Sequence, residues 1–176
     1  FRLRLNLDQP IKPMDYRARL GNPFYNKKGC DIMTAKRIAQ YIIRSMFLFF
    51  VGAIIYPEIE ILYRGYTHWS MGILGGVCFI ICGCLNDVFG WDMPLWKQQL
   101  IASVIITGLE FMTGVVVNII LDWNVWDYSN LPFNILGQIC LPFMAIWFFL
   151  SLVGIIIDDF LRWSLFDGEK PRYKLY

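Results

Sequence analysis

The chain has 176 residues, of which 57% are hydrophobic and 17% charged, and its formal net charge is +2. An ordinary soluble domain has about 45–50% apolar and about 25% charged residues, and a compact fold of this length could not cover so much apolar surface. The composition therefore excludes a disordered protein and most soluble enzymes, gives no support for nucleic acid as a partner, and indicates the lipid bilayer as the surroundings.

The first part of the chain differs from the rest. Residues 1–32 are polar and basic, contain three prolines and show no apolar period, so we interpret them as a disordered or loosely attached tail. Met33 precedes Thr-Ala-Lys-Arg and the first apolar run, a pattern typical of a natural start, which would make the preceding segment an extension. We set the predicted tail at 1–40.

Four apolar runs follow, and each meets or approaches the roughly 20 helical residues that cross a bilayer. They are continuous rather than alternating, which favours helices over barrel strands. The sequence predicts an all-α fold, a four-span transmembrane helical bundle over 41–160, and a polar C-terminal tail at 161–176. The predicted spans are 42–63, 69–85, 100–121 and 135–157.

The first span carries acidic and basic side chains near its second end. Glu60 and Arg64 are four residues apart, so an ion pair on one helix face is a sufficient structural explanation for them. We also keep both as candidates for a substrate path.

The second span is rich in glycine. Gly72 and Gly76 form a G-x-x-x-G pair, and Gly83 lies seven residues further on the same face. Small residues in this pattern let two helix backbones approach closely. The pattern predicts a helix-packing face, either with another helix of this chain or in a dimer.

The third span contains a carboxylate near its centre. A charge there costs at least about 2.5–3.5 kcal/mol on insertion scales, so it is a functional candidate by default. Glu110 is either a proton-titrating or substrate-contacting group, or a buried residue that fixes helix packing. Helical spacing places it on one inward-facing polar stripe, with Thr113 close by. The stripe consists of Ser103, Thr107, Glu110, Gly114 and Asn118.

The connector at 122–134 is rich in aromatic and turn-forming residues. Trp126 and Tyr128 are predicted interfacial anchors, and Asp127, Ser129 or Asn130 is predicted to cap the fourth helix, with Pro132 in its first turn. Recognition of an outside ligand is the other interpretation of this loop. The candidate outer-loop residues are Trp126, Asp127, Tyr128, Ser129, Pro132 and Asn134.

The fourth span contains a proline. Pro142 has no N–H to donate to the carbonyl of Gln138, so we expect a kink there. A kinked helix facing Glu110 would form a small polar pocket, which adds Gln138 to the substrate-path candidates Glu110, Thr113, Asn118, Glu60 and Arg64.

The basic residues indicate an orientation. Ten of the 16 precede residue 45, and four lie beyond residue 161. An even number of spans puts both termini on one side, and the positive-inside rule makes that side the cytoplasm. We expect a multi-pass protein of the cell membrane, with the 122–134 loop outside.

Several catalytic patterns are missing from these 176 residues. The sequence has no G-x-x-x-x-G-K-[ST], no H-E-x-x-H and no G-x-S-x-G. We therefore expect no enzyme activity, no cofactor and no metal site.

Three motifs together carry a resemblance. They are Glu60-x-x-Tyr63-Arg64-Gly65, Leu109-Glu110-x-x-Thr113-Gly114, and Trp126-Asp127-Tyr128-Ser129-x-x-Pro132-Phe133-Asn134 followed by Gly137 and Ile139-Cys140-Leu141. About residues 42–160 resemble the CmpB-type ABC-transporter permease family of bacterial membrane proteins. Many members carry an acidic residue where Asn118 stands, so a charge role is not transferred to that position.

The resemblance implies a transport-linked membrane subunit. Our first hypothesis is a transporter or permease subunit for a small solute, without its own ATPase. Its expected partners are the lipid bilayer, an ATPase or other membrane subunits, and a second copy of the chain. The alternative is a non-transporting membrane scaffold or sensor that binds a partner helix. A membrane enzyme acting on lipid ranks third.

Overall fold

The computed structural model describes residues 27–175, and over this range the chain is mostly helical. Four helices are long and apolar enough to cross a membrane, which confirms the predicted helical bundle. The helices are α1 (Lys27–Arg64), α2 (Trp69–Phe89), α3 (Leu95–Gly114), which continues as a π-helix over Val115–Ile120, and α4 (Leu141–Leu165). Of the predicted tail, 27–40 is the beginning of α1 and 1–26 lies outside the described residues.

Short, specific turns join the first three helices. Gly65, at φ +83°, ends α1, and its N–H donates to the carbonyl of Ile61 at 2.8 Å. α2 begins after His68, whose Nδ1 accepts from the backbone N–H of Ser70 at 3.3 Å. Gly90, at φ +71°, follows α2 and donates to Asn86 at 3.0 Å. Glycine adopts this left-handed conformation without the steric cost of a Cβ atom, so both turns can be tight.

Three glycines of α2, Gly72, Gly75 and Gly76, face α1. A Cβ atom added at Gly76 would lie 2.8 Å from the carbonyl oxygen of Phe49, and one added at Gly72 would lie 3.2 Å from that of Ala53. This close approach of backbones buries α2 against α1 within the chain. Gly83 faces α4 instead, because a Cβ atom there would overlap the carboxylate of Asp158.

α4 runs antiparallel to α1 and contacts it through aromatic pairs. The ring centroids of Tyr56 and Trp147 are 5.5 Å apart, and those of Tyr63 and Phe143 are 6.0 Å apart. At the other end Phe47 packs edge-on against Phe166, at 5.5 Å. α4 also packs on α3 and α2, with Trp147 and Ile155 in the core.

The prediction for the start of the fourth span is wrong. Residues 134–140 form a short hairpin, in which Asn134–Ile135 pairs with Ile139–Cys140, and α4 begins only at Leu141. Pro142 therefore lies in the first turn, where a missing N–H removes no helical hydrogen bond, and causes no kink.

The predicted cap is wrong for the same reason. Pro132 lies before the hairpin, and the N-cap position belongs to Cys140, which makes no side-chain cap bond. Asp127, Ser129 and Asn130 are too early in the chain to cap α4.

Candidate functional site

Glu110 is completely buried and holds two hydrogen bonds from neutral donors. The hydroxyl of Tyr128 donates to its Oε1 at 3.1 Å, and the indole N–H of Trp147 donates to its Oε2 at 2.8 Å. Among the described side chains no cation pairs with it. The carboxyl group therefore joins α3, the connector and α4 at one point in the bundle.

The stripe around Glu110 faces the bundle interior. All five of its positions are buried, which confirms the inward orientation predicted from the helical spacing. Ser103 donates to the carbonyl of Leu100 at 2.9 Å. The hydroxyl of Thr107 is buried without a hydrogen-bond partner among the described residues, and Thr113 is half-buried.

Glu60 and Arg64 form the ion pair expected from their spacing, with Arg64 Nη2 2.7 Å from Glu60 Oε1. The hydroxyl of Thr67 donates to the other carboxylate oxygen of Glu60. Arg64 Nη1 donates to the carbonyl of Val125 at 2.8 Å, so the guanidinium links the end of α1 to the connector.

A cavity of about 150 Å³ lies between α1 and α4. The paired side chains Glu60 and Arg64 line it, and so do Tyr128 and Trp147, the two hydrogen-bond donors of Glu110. The structure thus brings the Glu60–Arg64 pair to the same cavity as the two hydrogen-bond donors of Glu110. No hydrogen bond or ion pair joins Glu110 directly to Glu60 or Arg64. The remaining lining residues are Tyr56, Ile59, Tyr63, Phe143, Ile146 and Leu150.

Asn118 and Gln138 bond to each other rather than to Glu110. Asn118 Nδ2 donates to Gln138 Oε1 at 2.7 Å, and its Oδ1 accepts from the backbone N–H of Val125 at 2.7 Å. Asn118 lies in the π-helical end of α3, a geometry that often marks functional positions. This pair fixes the connector onto the end of α3.

The prediction that Trp126 is an interfacial anchor is wrong. It is buried, and its indole N–H donates to the carbonyl of Gln138 at 2.9 Å. Tyr128 turns inward to Glu110, and burial, together with that carboxylate, raises the pKa of its phenol. An aromatic cluster at this end consists of half-buried His68 and exposed Trp69 and Trp123, whose rings lie 5.3–5.7 Å apart.

The rest of the 126–134 motif forms its own turn. Asp127 Oδ1 accepts from the backbone N–H of Ser129 at 2.8 Å and from its hydroxyl at 2.5 Å, and these bonds lower the pKa of the Asp127 carboxyl. Asn134 Nδ2 donates to the carbonyl of Leu131 at 2.8 Å. Pro132 is exposed beside this turn.

Gly137 completes the same turn. It has φ +67°, and a Cβ atom there would lie 2.5 Å from both Asp127 Oδ1 and Ser129 Oγ. The hydrogen-bonded pair Asp127 and Ser129 therefore fits this turn because position 137 has no side chain.

Two further groups of polar contacts, at Trp147 and in a charged cluster at the opposite end of the bundle, were not predicted from the sequence. In that cluster Asp158 pairs with Arg162, and Arg162 Nη1 lies 2.6 Å from Asp87 Oδ2. Asp159 accepts from Asn86 Nδ2 at 2.6 Å and from the hydroxyl of Tyr173 at 3.0 Å.

Two signals could have revealed these residues. The i,i+4 pair Asp158 and Arg162 follows directly on an apolar run, and such a pair supports continuation of a helix. Trp147 carries an N–H in the middle of a span, and a buried indole usually finds an acceptor. Among the residues whose side chains the structure describes, no group of three His, Cys, Asp or Glu could hold a metal ion.

Comparison with known proteins agrees with the motifs. No solved structure matches the chain. The family described as "Putative ABC-transporter type IV" matches residues 30–165, a range that contains all four membrane-spanning helices and the whole candidate site. The match covers well over half of the chain, and the chain therefore belongs to this CmpB-type ABC-transporter family.

Proposed function

We propose that this chain is the membrane-embedded subunit of a transporter for a small solute, and that the cavity between α1 and α4 is its solute site. One observation carries the proposal: a single cavity of about 150 Å³ is lined by the Glu60–Arg64 pair and by both donors of the buried Glu110. Pockets that bind small molecules are mostly apolar with a few convergent polar groups, and this one has that character.

Each polar group has a role in this proposal. Glu60 and Arg64 orient the polar part of the solute, since they offer an acceptor and a donor at one end of the cavity. Glu110 lies behind Tyr128 and Trp147, and a solute that draws Tyr128 away leaves the carboxyl group with one hydrogen-bond donor. Asn118 and Gln138 hold the connector that carries Tyr128, and half-buried Thr113 lies one turn beyond Glu110.

The proposal includes an orientation in the cell membrane. Basic residues near both chain ends support two cytoplasmic termini by the positive-inside rule, which puts the connector at 122–134 outside. The aromatic cluster of His68, Trp69 and Trp123 is then part of the outer interfacial belt.

Energy for transport would come from another subunit. The 176 residues contain no phosphate-binding loop, so in this proposal a separate ATPase subunit supplies ATP hydrolysis, and a second copy of the chain or another membrane subunit completes the pathway.

Co-purification tests the proposal. The tagged chain is extracted from its native membrane in mild detergent, and ATP hydrolysis by the purified complex is measured with and without vanadate. Stoichiometric recovery of an ATPase subunit with vanadate-sensitive hydrolysis supports the transporter. Recovery of a homodimer with no ATPase contradicts it.

A second candidate function rests on α1. Five of its apolar side chains recur at steps of four residues and are 50–62% exposed, which gives the helix an uncovered stripe. A scaffold or sensor would use such a stripe to bind a partner helix, and a homodimer without ATPase favours this function. The stripe consists of Ile38, Ile42, Met46, Phe50 and Ile54.

A further inference from the structure

A second cavity continues the first between α1 and α4, and α2 forms its inner wall. Its volume is about 90 Å³, several times the roughly 10–15 Å³ that admit one water molecule. The two cavities share Tyr56, Ile59, Trp147 and Leu150 as lining residues. They therefore form one elongated groove, which we call the α1–α4 groove.

The two ends of the α1–α4 groove differ in polarity. The first cavity has the Glu60–Arg64 pair and the Tyr128 hydroxyl, whereas the second is lined by apolar side chains, thiols and glycines and by the phenol of Tyr56. A ligand that satisfies both ends has a polar head and an apolar tail. The second cavity extends towards Gly52, Gly154 and Ile157.

The groove is accessible from the side of the bundle. Its lining residues Ile59, Ile146 and Val153 are 38%, 43% and 51% exposed. In a helix that spans a membrane these side chains face the bilayer, so a ligand enters from the lipid phase without crossing the polar connector.

The charges at the polar end of the groove indicate which kind of ligand head it can bind. Glu60 and Arg64 lie 2.7 Å apart and neutralise each other, and Arg64 already donates to the carbonyl of Val125. No net charge is left to balance a charged head. A hydroxyl group, which both donates and accepts, matches a carboxylate beside a guanidinium and a phenol.

We infer that the α1–α4 groove binds a single-chain amphiphile with an uncharged, hydroxyl-bearing head, with the head at Glu60 and Arg64 and the tail towards Gly154. This inference rests on the proposed function, because it names the substrate class of the same site. A single narrow groove, with α2 as its inner wall at the apolar end, suits one acyl chain.

Photolabelling tests the inference on the full chain in lipid nanodiscs. The probe is a monoacylglycerol with a diazirine at the end of its acyl chain, and adducts are mapped by mass spectrometry. We expect adducts concentrated on the residues of α1, α2 and α4 that line the second cavity, reduced at least fivefold by excess monooleoylglycerol. Adducts spread over all lipid-facing helices, without competition, would overturn the inference.

Two glycine variants provide a matched pair. A Cβ atom at Gly154 makes only ordinary contacts, the nearest with Cys82 Sγ at 3.5 Å, so Gly154→Leu places its larger side chain in the groove without a backbone clash. A Cβ atom at Gly108 meets nothing within 4 Å, so Gly108→Leu adds the same bulk on an open face. We expect at least a fivefold loss of labelling in Gly154→Leu and none in Gly108→Leu. Equal labelling of both would contradict the inference, and if Gly154→Leu does not fold, the adduct map and competition in the unmodified chain decide.

A second probe tests whether the bound head is uncharged. The same labelling experiments also separate binding from transport. A fatty acid with the same diazirine should label the groove at least fivefold less, and equal or stronger labelling would overturn the uncharged head. Labelling needs no ATPase, so its absence in a chain that co-purifies with an active ATPase refutes the substrate class alone. Specific labelling of a chain that has no ATPase partner refutes the transporter alone.

Discussion

The indole nitrogen of Trp147 lies 2.8 Å from Oε2 of Glu110, a carboxyl group with no exposed surface. The bond joins α4 to α3, and the opposite edge of the same carboxyl group is held by Tyr128 from the connector. Because Trp147 and Tyr128 also line the cavity, a change in the cavity reaches Glu110 through these two side chains.

Removing the indole N–H tests the strength of this link. Trp147→Phe keeps an aromatic ring but leaves Glu110 Oε2 without its donor. Hydrogen bonds between membrane helices contribute about 0.6 kcal/mol on average and up to about 1.7 kcal/mol, so we expect a loss of stability in that range. Thermal unfolding in nanodiscs measures it. Trp96→Phe is the control, because the exposed Trp96 makes no hydrogen bond among the described residues, and equal losses in both variants would refute the link.

The turn formed by the 126–134 motif depends on Gly137. Gly137→Ala introduces both a strained positive φ and a collision with Asp127 and Ser129, whereas Gly90→Ala introduces only the strain, since nothing lies within 4 Å there. We expect Gly90→Ala to cost about 1 kcal/mol and Gly137→Ala clearly more. Denaturant or thermal unfolding of the two variants checks this, and equal costs would show that the turn yields easily.

Gly83 provides space for a charged side chain of α4. In Gly83→Ala the new methyl group overlaps the carboxylate of Asp158 and displaces it from Arg162. We expect a loss of about 1–3 kcal/mol, typical of overpacking. Gly108→Ala is the matched control, since its Cβ atom meets open space. Equal unfolding temperatures of the two variants would show that the Asp158 carboxylate does not lie against Gly83.

The stability that the Asp127 turn contributes should be lost at acidic pH. The hydrogen bonds from Ser129 lower the folded-state pKa of the Asp127 carboxyl below its unfolded value of about 3.9. Ionised Asp127 therefore stabilises the turn above about pH 4. This contribution is lost as the pH falls through the folded-state pKa. The unfolding temperature of Asp127→Asn should lie below that of the unmodified chain at pH 6 and approach it near pH 3. Asp92→Asn, at an exposed position outside the turn, should show no such convergence.

Much of the fold could be predicted because the bilayer imposes long apolar runs. The four spans, the inward face of the Glu110 stripe and the Glu60–Arg64 pair follow from length and helical spacing alone. The start of α4 could not be predicted in this way, because Ile135, Ile139 and Leu141 continue the apolar run through a hairpin whose turn depends on Gly137.

The candidate site was less predictable than the fold. Glu110 is recognisable as a charge among apolar residues, but its two donors come from the connector and from α4, and only the packing of the bundle selects them. Trp126 and Tyr128 show the same limit, since an aromatic residue at the end of a span can face the interface or the interior. Burial decides between these, and burial depends on the tertiary fold.

The most direct test of the account is ATP hydrolysis by the co-purified complex carrying Glu110→Gln. The amide can still accept from Trp147 and donate to the oxygen of Tyr128, so the fold should survive while the titratable group is lost. Glu58→Gln, at an exposed position of α1, is the matched control. We expect an intact complex whose solute-dependent hydrolysis falls at least tenfold in Glu110→Gln and is unchanged in Glu58→Gln. Hydrolysis at the unmodified rate in a fully assembled Glu110→Gln complex would contradict it.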